Sequence, residues 1–76
     1  MKEVLEIIIK NLVDNPDAVE INEIEEERSI TYQVKAAEGD MGKIIGRQGK
    51  IAQSIRTVIR AVANRKDKKI TVEFLG

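Results

Sequence analysis

Two glycines enclosing a basic and a polar residue, Gly46-Arg47-Gln48-Gly49, stand in the middle of the run Met41-Gly42-Lys43-Ile44-Ile45-Gly46-Arg47-Gln48-Gly49-Lys50-Ile51-Ala52-Gln53-Ser54-Ile55. Glycine has no Cβ, so a ligand backbone can come close to the peptide plane there. A helix that begins just after the second glycine offers first-turn amides with no intrahelical partner, and its positive end favours an anion. Lys43, Arg47 and Lys50 add cationic arms around the same point. This chemistry suits one or two phosphates. The competing reading is an ordinary corner between two helices, where the glycines serve only the turn.

Other phosphate chemistries do not match. The run lacks the spacing and the Lys-Ser/Thr ending of a P-loop. It does not open with G-x-G-x-x-G after a strand, as a dinucleotide site would. Asp40 is the lone acidic residue beside it, so no carboxylate pair is placed for a catalytic Mg²⁺. The chain has no Cys and no His. Disulfides, Cys/His zinc sites and Ser-His-Asp or Cys-His nucleophiles are therefore excluded. No carboxylate or lysine pair is visibly placed for acid–base work. We expect no enzyme activity, metal, cofactor or small-molecule substrate.

The formal net charge is zero, but the charges are sorted along the chain. Residues 1–38 carry 4 Lys/Arg against 10 Asp/Glu, a balance of −6, and residues 39–76 carry 9 against 3, a balance of +6. A polyanion responds to the local field rather than to the total, so the basic half that holds the glycine run is the half to expect it in. The alternative is two solvated faces of opposite sign. Arg65, Lys66, Lys68 and Lys69 form a second basic cluster, read either as an auxiliary phosphate contact or as a solvated loop.

The elements that must hold this loop follow from apolar spacing. Leu5, Ile8, Ile9 and Leu12 recur as one helical stripe within about residues 2–14. Ile7 falls on the polar side of that helix, as a lone exposed residue or as a contact with a second chain. Asn15-Pro16-Asp17 ends the helix. Val19 to Glu25 reads as a strand in which Ile24 breaks the alternation, as a bulge or a two-sided strand end would allow. Ile30, Tyr32, Val34 and Ala36 alternate as a second strand, antiparallel to the first. Asp40 is placed to cap a short helix from Met41 to Ile45. A longer helix is expected over Lys50 to Asn64, with Ile51, Ile55, Val58, Ile59 and Val62 as its core stripe and Arg56 and Arg60 sharing another face. Ile70, Val72 and Phe74 alternate as a last strand.

The order α-β-β-α-α-β predicts a two-layer α+β fold, three helices covering one face of a three-stranded sheet. With 76 residues the chain makes one domain at most, and a chain this short gains from pairing with another. No apolar run is long enough to cross a bilayer, and the reading is a cytoplasmic protein without membrane insertion.

Ile44-Ile45-Gly46-Arg47-Gln48-Gly49, followed by Ala52 and Ile55, resembles the signature of the KH domain. The G-x-x-G loop of that family clamps about four backbone nucleotides. The element order resembles the type II, bacterial variant. The opening helix, Asn15-Pro16-Asp17, Met41-Gly42-Lys43 and Ile55-Arg56-Thr57 extend the likeness over the whole chain, toward the stand-alone KH proteins of the KhpA family. The resemblance implies one KH domain over residues 1–76, with an RNA-binding core at about 28–75 and the helix at about 2–14 in front of it.

The resemblance also implies binding of single-stranded RNA, as an RNA chaperone or post-transcriptional regulator tied to cell-envelope growth and cell-length control. It implies a homodimer, or a heterodimer with a second KH protein of the Jag/KhpB type. Carried over by position, Gly46, Arg47, Gln48 and Gly49 hold the RNA backbone, Lys50 and Ser54, one turn apart on the long helix, flank the strand, and part of Ile45 floors the bases; Lys43 stays a cationic arm beside the loop. Ile44, Ile45 and Ile51 have core burial as their other reading. Ala52 is smaller than the aliphatic residue common in KH domains, which bears on groove width. With Tyr32 and Phe74 the only aromatic residues, and Phe74 on an apolar face, no stacking platform is expected. The Glu25-Glu26-Glu27 loop would repel phosphate if it bordered the groove. Ile7, Thr57 and Ala61 are the candidate dimer contacts. Replacing Gly46 and Gly49 together by Asp is expected to leave the fold intact and abolish binding.

Overall fold

The computed structural model describes residues 1–63 and 67–75. Among these residues the chain forms α1 (Lys2–Lys10), β1 (Glu20–Glu25), β2 (Ser29–Lys35), α2 (Met41–Ile45), α3 (Lys50–Ala63) and β3 (Lys69–Phe74), with short 3₁₀ turns at Pro16–Ala18, Glu38–Asp40 and Arg47–Gly49. The sheet order is β1-β2-β3. β1 pairs antiparallel with β2, and β2 pairs parallel with β3. The α+β order expected from the sequence is the order observed.

The parallel junction explains the layout. A parallel neighbour cannot be reached by a tight turn, so the chain must cross over the sheet between β2 and β3. That crossover is α2, the glycine loop and α3. Alternation sends Ile30, Tyr32 and Val34 of β2 and Ile70 and Val72 of β3 to one face, where they join Ile21 of β1, Leu5 and Ile9 of α1, Ile44 of α2, and Ile55 and Ile59 of α3. Leu5, Ile9, Val34, Ile44 and Ile59 are wholly buried. Each such aliphatic side chain contributes roughly 1.5–3 kcal/mol by leaving water.

The structure differs from the sequence reading at several points. α1 stops at Lys10, short of Asp14. The Asn11 side chain donates to the Ile7 carbonyl (2.6 Å) and Leu12 N–H donates to Ile9 O (3.0 Å), so the last turn tightens and the chain leaves the helix. β1 carries no bulge. Its register runs unbroken from Glu20↔Lys35 to Glu25↔Ile30, and Ile24, opposite Thr31, lies on the uncovered sheet face, exposed.

The expected stripe of α3 is wider than the face the helix buries. Ala52, Ile55 and Ile59 are buried, while Ile51, Val58 and Val62 are each more than one-third exposed. They lie along the flank that looks toward α1. There an open apolar groove of about 400 Å³ is lined by Ile8, Leu12, Ile51, Ser54, Ile55 and Val58.

Asp40 does not cap α2 with its side chain. Its carboxylate instead accepts the backbone N–H groups of Asp14 (3.2 Å) and Asn15 (3.0 Å), across the fold, and is buried in doing so. The segment leaving α1 is thus tied to the start of the loop-bearing helices. A carboxylate taken out of water needs such donors, and a hydrogen bond to a charged group is stronger than a neutral one.

Candidate nucleic-acid interface

α2 ends when Gly46 N–H donates to Gly42 O (2.8 Å) and the chain then swings away, with Gly46 at φ +76° and ψ 177°. The next turn, Arg47–Gly49, closes through Gly49 N–H to Gly46 O (3.2 Å) and Lys50 N–H to Arg47 O. α3 follows directly. The amides of Gly49 and Lys50 are therefore used inside the turn. The turn's opening amides, those of Arg47 and Gln48, have no earlier carbonyl within it to reach. Gln48 sits at φ 57° and ψ 25° and Gly49 at φ +75°. A non-glycine residue in the left-handed region costs about 1–2 kcal/mol, and such strain clusters at ligand clamps and switch regions.

The two glycines have different reasons to be glycine. A Cβ at Gly46 would lie 2.6 Å from Ile51 Cγ1 and 2.8 Å from Ile51 Cβ. The first residues of α3 thus seat against the bare corner from inside the protein. A Cβ at Gly49 would meet nothing within 4 Å. Space is therefore filled beside Gly46 and open beside Gly49. The double Asp replacement therefore cannot leave the local fold intact, because Gly46→Asp drives a side chain into Ile51 at a strained φ.

The structure sorts the other candidate residues. Arg47, Gln48 and Lys50 are exposed around the turn, and among the described residues Arg47 and Lys50 have no ion pair. Lys43 has partners: its ammonium donates to the Asp14 carboxylate and stands 3.7 Å from Asp40. The Asp14 contact holds the Lys43 pKa above the usual lysine value. Ile44 is core, Ile45 is 38% exposed and Ile51 is 37% exposed. Apolar surface is therefore present on both sides of the loop. Ser54 lines the apolar groove, its hydroxyl donating to Lys50 O (3.0 Å). Ala52 lies on the buried face of α3.

Ile7 is 63% exposed, and Thr57 and Ala61 are exposed on the outer side of α3. In the second basic cluster, Lys68 is paired with Glu25 and mostly covered, Lys69 is exposed, and Arg65 and Lys66 lie outside the described residues.

One polar track was only half read from the sequence. Gly49, Gln53, Arg56 and Arg60 recur at i, i+4, i+7 and i+11, which puts them on one side of α3. Arg56 is the fixed member. Its Nε donates to Val72 O (3.1 Å) and its guanidinium lies 5.2 Å from the Phe74 ring centroid. The helical spacing was available in the sequence, but the strand that anchors Arg56 was not.

A loop of this conformation between two helices, on a sheet with one parallel junction, defines a KH-type domain. Residues 2–74 match the family model described as "KhpA/KhpB, KH domain". The chain belongs to that family. It is 52% identical over 75 residues to the protein named RNA-binding protein KhpA from Caldanaerobacter subterraneus subsp. tengcongensis, with 99% of this chain and all of that protein covered. It is 51% identical to the protein of the same name from Clostridium perfringens, with the same coverage, and 44% identical to that from Listeria monocytogenes serovar 1/2a, with 99% of each chain covered. No solved structure matches it.

Proposed function

We propose that this chain binds single-stranded RNA without catalysing a reaction, holding the backbone at Arg47-Gln48-Gly49 with Lys50 beside it. The observation that carries the proposal is the open side of Gly49 in a left-handed turn, flanked by exposed Arg47 and Lys50, which have no ion pair among the described residues. The names of its relatives support RNA as the polyanion. Ile45 offers an apolar floor on the α2 side. Lys43 contributes to the general field, since its ammonium is held by Asp14 and Asp40. We take residues 1–76 as one domain working in the cytoplasm; no helix among the described residues is long and apolar enough to cross a membrane. The narrower role, RNA chaperoning or post-transcriptional control of cell-envelope growth and cell length, rests on the family resemblance alone.

Titration of ¹⁵N-labelled protein with octauridylate in dilute buffer tests the site. The amides of Arg47, Gln48 and Gly49 are expected to move first. Arg47→Glu with Lys50→Glu should weaken binding more than about tenfold and flatten its salt dependence by about one unit of slope per lost phosphate contact. Unchanged affinity in a folded double variant would reject the loop as the site.

A second reading has its own observation. Ile51, Val58 and Val62 form an exposed apolar flank on α3, which suits pairing with a second KH chain, either another copy or one of the Jag/KhpB type. Thr57 and Ala61 border that flank, and Ile7 adds apolar surface on α1. Two joined copies would raise avidity for one RNA strand without new contacts. If pairing were the whole function, the paired protein would form without nucleic acid and bind none.

A further inference from the structure

β3 is an edge strand, and its register decides which of its groups face outward. Lys69 N–H donates to Arg28 O and Leu75 N–H to Val34 O, so the odd-numbered residues bond β2. Val72 therefore turns its carbonyl off the sheet. That carbonyl is taken by Arg56 Nε. The same guanidinium lies over Phe74, the one aromatic ring in the basic half. A half-buried arginine held at both Nε and its face is a pre-organised planar group, not a swinging arm. Among the described residues its two Nη groups have no acceptor.

From Gly49 to Arg56 the helix rises about 10 Å. A base one or two nucleotides along from a backbone held at Gly49 reaches that far, and exposed Gln53 and Arg60 continue the same side of α3. We infer that Arg56 is a base-reading residue, which presents its Nη pair to a nucleobase edge carrying two adjacent acceptors. Guanine has O6 and N7, and unpaired cytosine has O2 and N3. Adenine and uracil set a donor beside each acceptor on their pairing edges, so one Nη hydrogen would face another hydrogen. With the ring of Phe74 already covered by Arg56, base selection here works through the edge of the base, not through stacking. This inference rests on the reading of the loop as a nucleic-acid site.

Fluorescence anisotropy with labelled octauridylate, and with the same oligomer carrying one central G, C or A, tests it. The G or C oligomer, or both, should bind about tenfold more tightly than the U and A oligomers, the size of a single bidentate arginine–base contact. Arg56→Lys keeps the charge but loses the fork. It should erase most of that preference while leaving affinity for octauridylate within about threefold. In the wild-type protein the Arg56 Nε–Hε resonance should shift with the preferred oligomer and not with octauridylate, a measurement that requires no variant to fold.

Equal binding of all four oligomers by the wild type would overturn the inference while leaving the loop reading standing. Equal weakening of all four in Arg56→Lys would do the same, and would make Arg56 a phosphate contact or a staple between α3 and β3. If none of the four binds, the loop reading fails and the inference fails with it.

Discussion

Adding a methyl group at Gly46 sets a carbon 2.6 Å from Ile51 Cγ1 on a backbone at φ +76°, whereas at Gly49, with φ +75°, the same carbon meets open space. Both changes carry the left-handed penalty of about 1–2 kcal/mol, and only the first adds overpacking, typically about 1–3 kcal/mol. Urea denaturation should therefore rank Gly46→Ala clearly below Gly49→Ala in stability, and Ile51→Ala placed behind Gly46→Ala should recover only the share due to Cγ1, because alanine keeps the Cβ that stands 2.8 Å away. Equal costs at the two glycines would mean that Ile51 moves aside freely. The pair of glycines was legible in the sequence as a loop. Their unequal roles were not, because the atom that fills the missing Cβ of Gly46 comes from a residue whose direction is set only when α3 lies on the sheet.

The junction between α1 and α2 depends on Asp40. It stands 25 residues from Asn15 in the chain, yet accepts that residue's N–H and the one before it. Asp40→Asn keeps the shape but loses the charge, and one side of the amide offers hydrogens where oxygens are needed. A loss of roughly 1–3 kcal/mol is expected, with faster hydrogen exchange at the Asp14 and Asn15 amides as the local readout. Local propensity places an acidic residue before a helix as its cap; here a distant pair of orphan amides outcompetes that use. Lys43 completes the junction. Its folded-state pKa is raised by Asp14, so its contribution is fully present at neutral pH and is lost as the pH rises through that folded-state value. Wild type and Lys43→Gln should thus differ by a small, constant amount in urea midpoint near neutrality and converge only in strongly alkaline solution. Salt should shrink the gap, since the pair is exposed.

Across the whole molecule, the strand alternation of β2 and β3 and the helical stripe of α1 gave the layers and their order directly from residue spacing. The apolar stripe of α3 misled in an informative way. Five aliphatic positions read as core, and three of them lie more than one-third exposed because this helix buries a narrower face than its apolar stripe is wide. Val58→Asp tests what that surplus is for. Light scattering should show a paired species reduced to the single-chain mass, while the melting temperature changes little, as expected for a substitution at a residue 45% exposed. A single-chain mass for the wild type would leave the flank without a pairing role. The division of charge between the halves was visible from the start. Its local sense was not, because it depends on tertiary pairing: Lys43 and Lys68 are held by Asp14 and Glu25, while Arg47 and Lys50 have no ion pair among the described residues.

The parallel pairing of β2 with β3 also bears on when the molecule becomes competent. Lys69–Phe74 docks beside a strand made some forty residues earlier, and the Val72 carbonyl that fixes Arg56 belongs to it. During synthesis the hairpin and α1 can gather first, but the crossover has no second rail to lie on until that final strand emerges. A nascent chain stalled before Lys69 should hold the glycine corner only loosely and capture oligonucleotide poorly. Competence would then arrive as a late, all-or-none event in the life of each new copy.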